Sequence, residues 1–219
     1  MFFFGNSNHM CAFVPWWRLL NEKGTFAMRK RIPYLFIAVL IAFPIWTHAA
    51  QEVTKVGDAF PDLTLQVPES ASQREYLGIS GDKTFKLSQI KAQVLIIEIF
   101  SMYCPHCQRE ARDINRLHEM IENDPALKGK TKMIGIGAGN TPFEVNVFRK
   151  KYDVPFPLFP DADFSLYNRL GKVRTPYFFC IRLTPDGDFR VFYTKLGTLD
   201  GPEQFLKDVV SKSKKGRNQ

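Results

Sequence analysis

The chain has 219 residues, 45% of them hydrophobic and 14% aromatic, enough to bury one substantial core and too few for two full domains. Its formal charge of +8 overstates the folded part, because five of the 30 Lys/Arg and one of the 22 Asp/Glu fall in residues 1–49, leaving 25 basic against 21 acidic residues beyond. That small excess, much of it in Lys212, Lys214, Lys215 and Arg217, argues against nucleic acid as a partner and marks 213–219 as a basic flexible tail.

Residues 1–27 fit neither a secretion signal nor a fold. With Phe2, Phe3 and Phe4, Cys11 and Trp16-Trp17 ahead of Met28, they read as a non-native or unstructured extension, and translation is expected to start at Met28. Arg29-Lys30-Arg31, the apolar run Ile32–Trp46 and the small residues around His48 then have the layout of a secretory signal over 28–50. The run is shorter than the ~20 residues that cross a bilayer upright, so cleavage after Ala49 or Ala50 is expected ahead of retention as an inner-membrane anchor. Either outcome puts the domain at 51–212 in the periplasm or another extracytoplasmic space, with membrane contact through the N-terminal segment if it stays uncleaved. Beyond residue 50 only Cys104, Cys107 and Cys180 remain, too few to staple a small scaffold, so the core must hold the fold.

Val56–Leu65 alternates apolar and polar residues and predicts an extended segment, Glu69–Gly81 reads as a polar loop, and Thr84–Leu87 as a short strand. After a turn or brief helix at Ser88, the unbroken apolar run Val94–Phe100 predicts a central strand covered on both faces. From Pro105 to about Asn123, Ala111, Ile114, Leu117 and Ile121 recur at helical spacing. Arg109, Glu110, Arg112, Asp113 and Arg116 fall largely on the other side, and His118 is expected to face solvent. Lys132–Ala138 predicts a second buried strand, and Thr141-Pro142 opens a helix to about Tyr152. Leu158-Phe159, a short helix near Phe164–Leu170, and the strand Tyr177–Leu183 come next. Pro185-Asp186-Gly187 makes a hairpin turn into Phe189–Tyr193, and Pro202–Lys212 closes the chain as a helix. This order implies an α/β fold with a central mixed sheet flanked by helices.

The most informative stretch is Cys104-Pro105-His106-Cys107, placed where the central strand ends and a helix begins. Two cysteines two residues apart on one helical turn suit dithiol chemistry, and Pro105 suits the first turn. A helix N-terminus and the adjacent His106 favour the Cys104 thiolate, which makes it the expected nucleophile. Cys107, one turn in, is expected to resolve the mixed disulfide. Zinc would need about four ligands, and no second C-x-x-C or paired His exists, so no metal is expected. A c-type haem would need His where Gln108 stands. The bland alternative for the pair is a permanent disulfide. Glu98 interrupts the apolar strand, where an ionised carboxylate would be costly; it is expected to exchange protons with Cys107, the alternative being an edge acid that reaches solvent. Cys180 lies inside an apolar strand and reads as an inert buried thiol.

With Glu98, the C-P-H-C and Thr175-Pro176 together, the chain resembles the thioredoxin superfamily. Its plan is similar to the TlpA/ResA-like extracytoplasmic redoxins: a Gly57-x-x-Phe-Pro-x-Leu-x-Leu65 opening, an extra strand and helix between the cysteines and Thr-Pro, and Phe156-Pro-Leu-Phe-Pro-Asp161 ahead of Leu166-Tyr-Asn-Arg-Leu170. The likeness covers about residues 53 to 210. The local stretch Glu98–Cys107 instead resembles DsbA-type oxidases, whose large helical insertion has no room in the 72 positions from Cys104 to Pro176. The resemblance implies a thioredoxin fold with an N-terminal β extension and a strand-helix insertion, and a cis Pro176 facing the cysteines. It implies that Thr175 offers its backbone to an extended substrate segment, and that His106 stabilises the reduced form. It further implies a thiol-disulfide oxidoreductase with no small-molecule cofactor beyond a redox-active Cys104–Cys107 disulfide. Cysteine-containing proteins would be its substrates and a membrane redox partner would reset it, in either apocytochrome reduction for cytochrome c biogenesis or disulfide formation. The competing readings are a copper-handling chaperone using the two sulfurs, and a thiol peroxidase. Ser101 fits the peroxidase spacing, but its proline would fall on Ile97.

Overall fold

The computed structural model describes residues 52–184 and 187–215. The expectations for 1–27 and 28–50, for Gln51, for Pro185-Asp186 in the hairpin turn, and for the last residues of the tail lie outside the described residues. Five strands form the central sheet: β3 (Val94–Phe100), β4 (Thr131–Ala138), β5 (Leu158–Asp161), β6 (Tyr177–Arg182) and β7 (Arg190–Leu196). Their order is β5-β4-β3-β6-β7, with β3, β4 and β5 parallel and β6 and β7 antiparallel to their neighbours. A separate ribbon pairs β1 (Thr64–Gln66) with β2 (Thr84–Lys86), as an N-terminal β extension requires. The backbone of Gly57, Asp58 and Phe60 hydrogen-bonds Val191 and Phe189, which covers the outer edge of β7.

Side-chain alternation divides the core in two. Leu95, Ile97 and Ile99 of β3 point to a face covered by Phe60, Leu63, Leu65, Phe85 and the short helix α4 (Ser165–Arg169), through Leu166 and Tyr167. Ile96 and Phe100 point to the opposite face, closed by α2 (Pro105–Asn123), by α5 (Pro202–Lys215), and by Val145 and Phe148 of α3 (Pro142–Lys151). Burying such Leu, Ile and Phe side chains stabilises by about 1.5–3 kcal/mol each, and nearly all of β3 is inaccessible. β3 is therefore a firm support for the segment that follows it. Among the described residues no helix is long and apolar enough to cross a membrane.

The structure departs from the sequence reading in four places. Glu69–Gly81 is not a loop throughout: Ala71–Leu77 forms helix α1, with the Ser70 hydroxyl accepting from Gln73 N–H and Gly78 ending it at φ 66°, where glycine carries no Cβ penalty. His118 is half-buried rather than solvent-facing; its ring packs at a tilt between Tyr76 of α1 and Phe156, and burial lowers its pKa. Glu110 is buried rather than on the solvated side of α2. The closing helix continues to Lys215, past the expected boundary at 212.

Candidate active site

β3 delivers the site. It pairs with β4 along its whole length and with β6 from Val94 to Ile99, so Glu98, opposite Gly135 and Phe178, is locked in the middle of the sheet. Two residues later the strand ends, and after Ser101-Met102-Tyr103 the chain turns into α2 with Cys104 as its N-cap and Pro105 in the first turn. The free Cys104 thiol is part-exposed, whereas Cys107, one turn into the helix, is buried against Ile96 and Phe100. Across from them the Thr175–Pro176 peptide bond is cis, and the Cys104 thiol donates to the Thr175 carbonyl at 3.4 Å. The structure thus brings together all seven residues singled out in the sequence: Glu98, Cys104, Pro105, His106, Cys107, Thr175 and Pro176.

The two thiols are electrostatically opposite. At Cys104 burial works against the thiolate, but the Thr175 side chain, the Cys107 backbone and thiol, and the His106 backbone N–H outweigh it and lower the pKa. At Cys107 burial and the nearby Glu98 carboxyl push the thiol far up, so it does not ionise unaided near neutral pH. Helix α2 contributes its positive end to Cys104. His106 acts on the sulfur through its backbone; its ring is exposed, and Nδ1 accepts from Arg109 Nη2 at 3.0 Å.

Glu98 is 1% exposed, and neither carboxyl oxygen has a hydrogen-bond partner among the described residues. Burial, with smaller contributions from Glu110 and Cys104, raises its pKa to about 8. At pH 7 it is mostly protonated, yet a usable fraction is carboxylate, the condition for a group that both takes and returns a proton. The edge-acid alternative is excluded.

Three contributors escaped the sequence reading. Glu110 sits one turn beyond Cys107 on the same face of α2, and its Oε1 accepts from Leu199 N–H at 2.6 Å. Its spacing from Cys107 was the available signal. Asn140, where β4 gives way to α3, accepts from Met102 N–H at 2.8 Å. Tyr103, 65% exposed beside Cys104, donates to Glu144 of α3. Cys180 is fully buried and its thiol is pushed far up by burial, as an inert residue should be. Among the described residues no group of three or more His, Cys, Asp and Glu stands where it would hold a metal ion.

Residues 56–185 match the AhpC/TSA family. The chain is 26% identical over 131 residues to the thiol-disulfide oxidoreductase ResA of Bacillus thuringiensis, covering 58% of this chain and 70% of that protein. It is 21% identical over 192 residues to ResA of Geobacillus thermodenitrificans, covering 87% and 99%. Among solved structures, a protein assigned as thiol:disulfide interchange protein DsbE, from Chlorobium tepidum, superposes with a TM-score of 0.54 at 15% identity, covering 73% of this chain and 98% of that one. A secreted thiol-disulfide isomerase from Corynebacterium glutamicum superposes with a TM-score of 0.50 at 17% identity, over 73% and 93%. These structural likenesses show the thioredoxin fold. The chain belongs to the AhpC/TSA family, as a TlpA/ResA-like oxidoreductase of thioredoxin fold.

Proposed function

We propose that the protein is an extracytoplasmic thiol-disulfide oxidoreductase that exchanges disulfides with cysteine-containing proteins through Cys104 and Cys107. The observation that carries this reading is the asymmetry of the pair, one part-exposed thiol with a lowered pKa and one buried thiol with a raised one above an unpartnered carboxyl.

In the reducing direction the Cys104 thiolate attacks one sulfur of a substrate disulfide, forming a mixed disulfide and releasing one substrate thiolate. Glu98 then takes the Cys107 proton, directly or through water. The Cys107 thiolate attacks Cys104 Sγ, releasing the second substrate thiolate. The enzyme is left with a Cys104–Cys107 disulfide, two electrons having passed to the substrate, and the protons are returned from Glu98 and solvent. Thr175, at the Cys104 sulfur and ahead of cis Pro176, offers backbone to an extended substrate strand. A membrane redox partner resets the pair. The oxidising direction runs the same steps backwards.

Location outside the cytoplasm rests on the signal-like layout of 28–50 and on the family. The direction is set by the potential of the couple. A value near −120 mV, as in strongly oxidising members of this chemistry, supports disulfide formation. One below about −270 mV supports reduction of substrates such as apocytochrome cysteines. The core reading is tested by trapping: Cys107→Ser is expected to accumulate a mixed disulfide with a disulfide-containing model protein, and Cys104→Ser to trap nothing and to reduce insulin no faster than buffer. Wild-type rates in Cys104→Ser would refute it.

A further inference from the structure

The segment Ser101-Met102-Tyr103, which carries the chain from β3 to the Cys104 N-cap, is held from the side by the junction of β4 and α3. β3 and β4 run parallel, with Phe100 opposite Gly137, and both strands end at this level. Three residues on from Gly137, Asn140 is 0% exposed and all its polar groups are engaged. Its Oδ1 accepts from Met102 N–H at 2.8 Å, and Nδ2 donates to Ser101 Oγ at 3.5 Å. Its own N–H donates to the Gly137 carbonyl at 3.0 Å, and its carbonyl accepts from Asp161 N–H at 3.2 Å. The other polar group of the Met102 peptide is also taken, its carbonyl accepting from Gln108 Nε2 at 2.7 Å. Tyr103, next in line, donates to Glu144, which closes the capping box of α3 with Thr141.

Gly137 shows that space is kept for this contact. A Cβ there would lie 3.1 Å from Asn140 Cβ and 3.2 Å from its Oδ1, and 3.0 Å from Val145 Cγ2, so a larger residue in the strand would press on the asparagine. A buried amide with every group satisfied makes the junction stiff, and removing it would strand the Met102 N–H.

We propose that Asn140 is a positioning residue for the nucleophile: by pinning Met102 it sets the angle at which α2 begins, so that the backbone N–H groups of His106 and Cys107 meet the Cys104 sulfur. It acts through the Met102 peptide and touches neither the sulfur nor the substrate. The proposal rests on Cys104 being the attacking thiol. Helix N-terminal donors stabilise an anion only when they point at it, so a loosened loop weakens the thiolate before it unfolds the protein.

The test is the pH profile of Cys104 alkylation by iodoacetamide in the reduced protein, with the modified cysteine identified by peptide mass. Alkylation needs no exchange activity, so the result stands whether or not the protein reduces disulfides. Asn140→Ala is expected to alkylate about three- to tenfold more slowly at pH 7 and to reach the parent rate at high pH, an upward shift in midpoint of up to about one unit. Gln108→Ala, which removes the other hold on Met102, is expected to shift the same way by less. It decides the matter if Asn140→Ala does not fold. Val209→Ala, a core truncation in α5, is expected to lower stability with the midpoint unmoved. Profiles of the folded Asn140→Ala or Gln108→Ala proteins that superpose on the parent's would overturn the proposal, as would an equal shift in Val209→Ala.

Discussion

Two buried carboxyl groups of the central sheet are built in opposite ways. Asp161, at the end of β5, accepts from Leu166 N–H at 2.9 Å, Tyr167 N–H at 2.8 Å and Ser165 Oγ at 3.3 Å, so it ties the edge strand to α4. Glu98, in the central strand, is equally buried and accepts from nothing described. The first satisfies helix N–H groups that would otherwise lack partners. The second is held without partners, which costs stability and keeps its proton exchangeable close to neutral pH. Burial is the same in the two; the number of donors facing each carboxyl is what differs.

The largest effect expected from breaking this contrast is at the structural acid. Asp161→Ala should lose on the order of 2–4 kcal/mol in chemical denaturation, since two helix N–H groups and a hydroxyl lose their acceptor, while the pH dependence of exchange keeps its midpoint. Glu98→Gln should do the reverse. Its Cys107 step should slow about 10- to 100-fold near neutrality, within or below the usual contribution of a positioned acid-base group, and lose the rise in rate expected of the parent as pH climbs through about 8. Stopped-flow kinetics of the mixed disulfide would read this.

Stability should move the other way in the same variant. Because the folded pKa of Glu98 is raised, the unfolded chain releases this proton first as pH rises from about 4.5, and the folded state is penalised progressively until pH passes about 8. Glu98→Gln should therefore match the parent near pH 4 and exceed it by on the order of 2–4 kcal/mol at pH 8, measured by denaturant melts across that range. A smaller effect belongs to Glu110, whose charge contributes to the raised pKa of Glu98: Glu110→Gln should lower the Glu98 midpoint by less than about one unit. The smallest is at Cys180, buried away from the pair, where Cys180→Ala should leave insulin reduction unchanged.

Much of this site could be read from the chain because its chemistry is local in sequence. The two cysteines, Pro105 and His106 are contiguous, and Glu98 shows as one acid in an apolar strand. Asn140 and Tyr103 act through contacts 38 and 41 residues distant, which no short motif records. Glu110 was hidden among the charges of an amphipathic helix, where one buried acid looks like its solvated neighbours. Helix α1 escaped because only Leu77 of its seven residues is fully buried, too little for a periodic signal. His118 adjoins the core stripe at Leu117, and it is Tyr76 of that unforeseen helix that covers it. The cis geometry at Pro176 followed from the family resemblance; the residues Thr-Pro alone favour trans.

The most direct test of the central claim is the carboxyl titration of Glu98 in the reduced protein, followed by carbon NMR of glutamate-labelled samples with Glu98→Gln for assignment. The midpoint is expected close to pH 8, matched by the midpoint of the Cys107 step. A carboxyl that titrates near pH 4.5 would contradict the mechanism, because so weak a base would not draw the proton from a thiol that burial keeps protonated.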